Sequence, residues 1–141
     1  MTRLPAVREY MDTRVHTLSP ETSILAAIDF LIEHHVTGAP VVNAQGDVVG
    51  ILSEKDCLMV LALGSDNDRP GGLVSEYMSK KVVHIPSRMN IYYAAGLFLN
   101  HNFRRLPVVD DGKLVGAITR FDILKAISAN HKLVLDVGGQ S

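Results

Sequence analysis

The chain has no tryptophan, a single cysteine and almost no net charge. One thiol, Cys57, cannot close a disulfide within the chain, and such sparing use of cysteine fits a reducing compartment. Lys and Arg number 14 against 15 Asp and Glu, a formal charge of −1, so nothing offers nucleic acid or a membrane surface a bulk electrostatic grip. The longest apolar run, Cys57 to Leu63, falls far short of the roughly 20 residues of a membrane helix. Met1-Thr2-Arg3-Leu4-Pro5 lacks the apolar centre of a signal peptide, and the expectation is a cytoplasmic protein.

Catalytic and metal signatures are missing too. There is no Cys-x-x-Cys or His-Glu-x-x-His string, and His34-His35 are adjacent rather than at the i, i+4 spacing that converges on one helix face. No metal site is expected. No Walker glycine loop and no supported Ser/His/Asp set is present, and Cys57 sits in an apolar run that suits packing better than a reactive thiolate. An enzyme is the least favoured reading.

What the chain does have is an internal repeat, which fixes architecture before any single residue does. Val7-Arg8-Glu9-Tyr10-Met11 returns as Val74-Ser75-Glu76-Tyr77-Met78, an offset of 67 (77 − 10). Pro40-Val41-Val42 returns as Pro107-Val108-Val109 at the same offset. Gly50-Ile51-Leu52-Ser53-Glu54-Lys55-Asp56 returns as Gly116-Ala117-Ile118-Thr119-Arg120-Phe121-Asp122, now at 66 (122 − 56).

Each copy opens with a short helical lead-in and a short extended piece, Val15–Leu18 or Val82–Ile85. Helical spacing of Ile24, Leu25, Ile28, Leu31 and Ile32, and of Ile91, Ala94, Ala95, Phe98 and Leu99, predicts the first helices. Strands at Pro40–Val42 and Pro107–Val109 then turn through Asn43–Asp47 and Asp110–Lys113 into strands at Val48–Leu52 and Leu114–Ile118. Final helices begin near Glu54 and Arg120. The reading is an α/β protein of two β-α-β-β-α repeats, residues 7–63 and 74–130, related by a pseudo-two-fold and packed through their sheets. A polar, Gly-containing linker is expected over 64–73 and a C-terminal tail over 131–141, frayed after Leu135.

The sharpest chemistry is Ser53-x-x-Asp56 and Thr119-x-x-Asp122, each at a strand-to-helix junction. A capping box explains both without a ligand. The same geometry aims backbone N–H groups and a hydroxyl at an incoming phosphate, with a carboxylate beside them for ribose. Both readings stay open at this point.

The doubled pattern resembles a tandem pair of CBS domains, the module named after cystathionine β-synthase and often called a Bateman module. The matching residues are Met11 and Met78, Ser19-Pro20 and Pro86-Ser87, Gly38-Ala39-Pro40-Val41-Val42 and Arg105-Leu106-Pro107-Val108-Val109, with the Gly-x-x-Ser/Thr-x-x-Asp strings. The resemblance implies a stand-alone regulatory module that binds adenosine-containing ligands: AMP, ADP, ATP or S-adenosylmethionine, in some members NAD or cyclic dinucleotides. It implies shared clefts. The first would join Thr17, Val36, Thr37, Gly38, Ala39 and Pro40 to Thr119, Arg120 and Asp122. The second would join His84, Phe103, Arg104, Arg105 and Pro107 to Ser53, Lys55 and Asp56. Backbone beside Pro40 or Pro107 would read adenine, the aspartates would hold ribose, and Arg104, Arg105 and Lys55 suit phosphate. His84 departs from the pattern, since copy one has Thr17 there. Output would pass to an unknown effector protein or through self-association. A homodimer is expected from apolar stripes on the final helices: Cys57, Leu58, Leu61 and Ala62, and Ile123, Leu124 and Ile127. The rival is a structural dimerisation module with empty clefts.

Overall fold

The computed structural model describes residues 4–63 and 71–139, with side chains over 4–62 and 71–130. Most of the expected linker, residues 64–70, lies outside the described residues, as do 140 and 141. After a 3-10 turn at Val7–Glu9, the elements run α1 (Ile24–Glu33), β1 (Gly38–Val42), β2 (Val48–Ser53), α2 (Glu54–Leu63), α3 (Val74–Tyr77), α4 (Ile91–Asn100), β3 (Arg105–Asp110), β4 (Lys113–Thr119) and α5 (Arg120–Gly139).

Local sequence accounts for the boundaries. Ser23 Oγ accepts the Ala26 N–H and Asn90 Oδ1 the Tyr93 N–H, which starts α1 and α4. Helix α1 ends on a pair of bonds, Val36 N–H to Leu31 O and His35 N–H to Ile32 O, with His35 at φ 53° in the position that favours glycine. Asp111 (φ 51°) and Gly112 (φ 81°) both have positive φ, the two-residue hairpin turn that Asp-Gly encodes. β1 pairs antiparallel with β2 from Gly38↔Ser53 to Val41↔Gly50, with an irregularity between Val41 and Val42; β3 and β4 make the second two-stranded sheet.

One expectation is corrected. The early extended pieces are not full strands: each contributes one parallel bridge, Leu18↔Val41 and Ile85↔Val108. Helix α5 continues past residue 130, through the start of the expected tail, to Gly139. No proline interrupts residues 120–139.

The chain divides into two compact units that do not follow the sequence repeats. One comprises residues 16–82 with 112–114; the other comprises 1–15, 83–111 and 115–141. Each lead-in therefore belongs with the other repeat's core. Val74 is buried with Leu18, Ile24, Ala27, Leu31, Val41, Leu52 and Val60. Val7 is buried with Ile85, Ile91, Phe98, Leu106, Val108 and Ile118. Burying such a side chain fully contributes about 1.5–3 kcal/mol. Backbone bonds fix the exchange: Val74 N–H to Thr22 O and Ile24 N–H to Gly72 O in one unit, Val7 N–H to Met89 O and Ile91 N–H to Pro5 O in the other. Within the repeated lead-in string, Glu9 accepts the Ala6 N–H and Glu76 the Leu73 N–H, each at 2.7 Å.

The two repeated glycines also find their reason here. Asp12 and Ala117 exchange both backbone bonds at 2.9 Å, and Ser79 and Ile51 do so at 2.8 and 2.9 Å. A Cβ on Gly116 would stand 2.7 Å from Met11 Sδ and 2.8 Å from Asp12 O; on Gly50 it would stand 2.5 Å from Met78 Sδ and 3.0 Å from Ser79 O. Met11 and Met78, repeated with the glycines, are what those glycines admit.

Candidate functional site

Both Ser/Thr-x-x-Asp strings form reciprocal caps. The Ser53 N–H (2.8 Å) and Ser53 Oγ (2.9 Å) donate to Asp56 Oδ2, while Ser53 Oγ accepts the Asp56 N–H at 3.2 Å. The Thr119 N–H donates to Asp122 Oδ2 at 2.9 Å, and Thr119 Oγ1 accepts the Asp122 N–H at 3.1 Å. The capping reading therefore holds for both. It leaves room for the other reading, because one oxygen carries the cap at each acid. Asp122 Oδ1 meets Lys125 Nζ at 3.4 Å across the first turn of α5. Both aspartates are half-buried, fixed in direction and still in reach of solvent.

The segment before each proline lies beside the early extended piece of its own repeat. The Leu18 N–H donates to Pro40 O (3.0 Å) and the Val42 N–H to Leu18 O (2.8 Å), which sets exposed Thr17 next to Pro40. In the other unit the Ile85 N–H donates to Pro107 O (3.1 Å) and the Val109 N–H to Ile85 O (2.9 Å), so exposed His84 lies next to Pro107. Gly38 pairs with Ser53, and the Glu54 N–H donates to Thr37 O at 2.8 Å. One unit thus gathers Thr17, Val36, Thr37, Gly38, Ala39, Pro40, Ser53, Lys55 and Asp56. The other holds His84, Phe103, Arg104, Arg105, Pro107, Thr119, Arg120 and Asp122. Ala39, Pro40 and Pro107 are buried, so what they offer a ligand is backbone edge.

The cations differ from one another. Lys55 and Arg104 are exposed. Arg120 lines a shallow groove of ≈ 740 Å³ between α4 and α5 with Phe98, His101, Ile123 and Ile127. Arg105 is half-buried, with Nη2 3.7 Å from Asp12 Oδ2. The sequence reading missed that ion pair; a comparison of residue 12 with 79 and 105 with 38 across the repeat would have found it. His34 stacks on His16 with ring centroids 3.9 Å apart, and its counterpart His101 stacks on Phe103 at 5.0 Å. Among the described residues no three of His, Cys, Asp or Glu gather as metal ligands. Burial, with the Asp56 charge second, pushes the Cys57 thiol up, which keeps it protonated.

The final-helix stripes need correction. Ile123 is buried and Ile127 packs against the same core, so in α5 they face inward. Leu58, Leu61, Ala62 and Leu124 are the exposed members, and Phe121, outside the expected stripes, is exposed beside Leu124's turn of α5; the four large side chains are each at least 60% accessible. No helix among the described residues is long and apolar enough to cross a membrane.

Comparison with known proteins places these features in a family. The CBS domain model matches residues 7–63 and 74–129. The chain is 36% identical to the CBS domain-containing protein YhcV of Bacillus subtilis over 85% of this chain and 84% of that protein. It is 32% identical to the chloroplastic protein CBSX2 of Arabidopsis thaliana and 31% to MJ1225 of Methanocaldococcus jannaschii, spanning 62% and 43% of their lengths and 85% and 88% of its own. The crystal structure of CBSX2 in complex with AMP superposes with a TM-score of 0.77 at 34% identity, covering 89% of this chain and 98% of that one. The CBS domain pair of MJ0100, in complex with 5′-methylthioadenosine and S-adenosylmethionine, gives 0.70 at 27%, covering 86% and 98%. The chain belongs to the CBS domain family and carries two copies of that domain.

Proposed function

We propose that this chain is a non-catalytic regulatory module that binds adenosine-containing ligands at its two CBS repeats. AMP, ADP, ATP and S-adenosylmethionine are the candidates, with NAD behind them. The observation that carries the reading is the doubled, half-buried carboxylate of Asp56 and Asp122, each capped through one oxygen, with a second for ribose hydroxyls that at Asp122 also meets Lys125 at 3.4 Å. The AMP complex of a relative 34% identical supports the ligand class. In the crossed family arrangement, Thr17 and Val36–Pro40 would act with Thr119, Arg120 and Asp122. His84, Phe103, Arg104, Arg105 and Pro107 would act with Ser53, Lys55 and Asp56.

Regulation would follow by linkage. A ligand that prefers one arrangement of the module shifts its population toward that arrangement, and an effector protein or a second copy reads the shift. Exposed Leu58, Leu61, Phe121 and Leu124 favour self-association as a cytoplasmic homodimer, which is also what a purely structural module with empty clefts would do. Calorimetric titration against AMP, ADP, ATP, S-adenosylmethionine and NAD separates the two. Saturable binding of one of them, without phosphate release, is expected; absence of binding to all five refutes the sensor reading. Light scattering at micromolar concentration should give twice the 15.4 kDa chain mass, and a monomer with and without ligand would refute the dimer.

A further inference from the structure

Arg105 is built into the second unit in an unusual way. Its Nε lies out of solvent with no hydrogen-bond partner, and its only ion pair among the described residues is the long one from Nη2 to Asp12 Oδ2 at 3.7 Å. A guanidinium presents Nε–H and one Nη–H as a fork that fits two oxygens of a carboxylate or phosphate. Here Nε has no partner and Nη2 faces a single, distant carboxylate oxygen, and a buried donor without a partner is costly to leave so.

Asp12 is not a loose surface acid. Its backbone exchanges two hydrogen bonds with Ala117 at 2.9 Å, and its Oδ1 accepts the Arg14 N–H at 2.9 Å. Only Oδ2 is left to face the guanidinium, and its position is set by the lead-in. The equivalent pair in the other repeat is Ser79 and Gly38 (79 − 12 = 67 and 105 − 38 = 67). There the anion and the cation are both missing. One repeat has both members of a charge pair and the other has neither.

We propose that Asp12 is a competitor built into the chain, holding the partly exposed guanidinium of Arg105 until the phosphate of a bound nucleotide takes it. The inference rests on the nucleotide-binding reading above and adds its control. Asp12 stabilises the empty guanidinium weakly, and its charge opposes each further phosphate oxygen that arrives. It therefore lowers the affinity for phosphate-bearing ligands at Arg105 while leaving contacts to adenosine alone. The repeat with Gly38 and Ser79 has no such control, so the two repeats differ in how phosphate charge affects binding.

Asp12→Asn tests this, since the amide oxygen can still accept the Arg14 N–H and the backbone bonds to Ala117 are retained. AMP should bind the variant about two- to fivefold more tightly, the range expected from removing one partly exposed ion pair. The gain should shrink as salt is added. Adenosine should bind wild type and variant equally. Arg105→Gln should weaken AMP and abolish the gain when combined with Asp12→Asn. If AMP binds wild type and Asp12→Asn equally, or if the gain survives in the Arg105→Gln background, the competitor role is wrong and the nucleotide reading stands. If neither adenosine nor AMP binds wild type or variant, the nucleotide reading falls and the competitor role with it.

Discussion

Gly116→Ala should cost stability because of where one methyl group would have to go. Its Cβ would stand 2.7 Å from Met11 Sδ and 2.8 Å from Asp12 O. The thioether can swing aside. The carbonyl cannot, because it accepts the Ala117 N–H in the bonded pair that fixes the lead-in to β4. Relief requires the lead-in to lift by a few tenths of an ångström and both 2.9 Å bonds to lengthen. Overpacking of this kind costs about 1–3 kcal/mol. Against it stands a gain of about 0.4–1 kcal/mol from the reduced freedom of alanine in the unfolded chain. The net loss is therefore about 1–2 kcal/mol. For a chain of this length unfolding in one transition, at roughly 2.1 cal/mol/K per residue, that lowers Tm by about 3–7 °C. Gly96→Ala is the control: nothing lies within 4 Å of its would-be Cβ, and it sits inside α4, where alanine is favoured by about 1 kcal/mol. Calorimetric melts of the two variants should move in opposite directions, and amide exchange at Asp12 and Ala117 should quicken only in Gly116→Ala. A Gly116→Ala protein that melts at or above wild type would refute the close-approach argument.

The two aspartates should show separable effects. Asp56→Ala and Asp122→Ala should each lose about 1 kcal/mol of stability as caps by chemical denaturation. In calorimetry each should lose about 1.5–3 kcal/mol of adenine-nucleotide binding at its cleft. His35→Gly should raise the melting temperature, because a residue at φ 53° gives up roughly 1–2 kcal/mol that glycine does not, partly offset by glycine's freedom when unfolded. Two hydrogen bonds from Ser87, to Oδ2 at 2.6 Å from its hydroxyl and to Oδ1 at 2.9 Å from its N–H, hold the Asp110 carboxyl below its ordinary 3.8. A lowered folded-state value means stability that is complete above the ordinary value and lost as pH falls through the folded one. Ser87→Ala should therefore flatten the acid side of the stability profile below about pH 4 and leave its neutral region unchanged in slope.

Periodicity and turn chemistry made the helices and hairpins legible. The apolar spacing of Ile24 to Ile32 is local information, and so is Asp111-Gly112 at the second hairpin. The early strands read longer than they are, because β-branched runs such as Val82-Val83 satisfy a strand pattern whether one residue pairs or four. The inward turn of Ile123 and Ile127 escaped because α5 is apolar at several spacings, and only α4 packing against it selects the buried face. The Ser/Thr-x-x-Asp caps were visible as motifs. Their spare oxygens were not, since which oxygen a cap uses is set by geometry. The exchange of lead-ins left no trace either, because the string Val-x-Glu-Tyr-Met is the same in both copies and fits either core.

That exchange fixes an order of events during synthesis. Residues 16–82 form nearly all of one unit and can begin to pack once Val82 has left the ribosome. Residues 4–15 are made earlier, yet the surfaces that bury Val7, on Ile85, Ile91 and Ile118, are made last. Residues 4–15 thus precede the unit formed by 16–82 in the chain yet dock after it can pack. Until then Val7 is an apolar side chain waiting for its core, available to any neighbouring chain that exposes the same empty site.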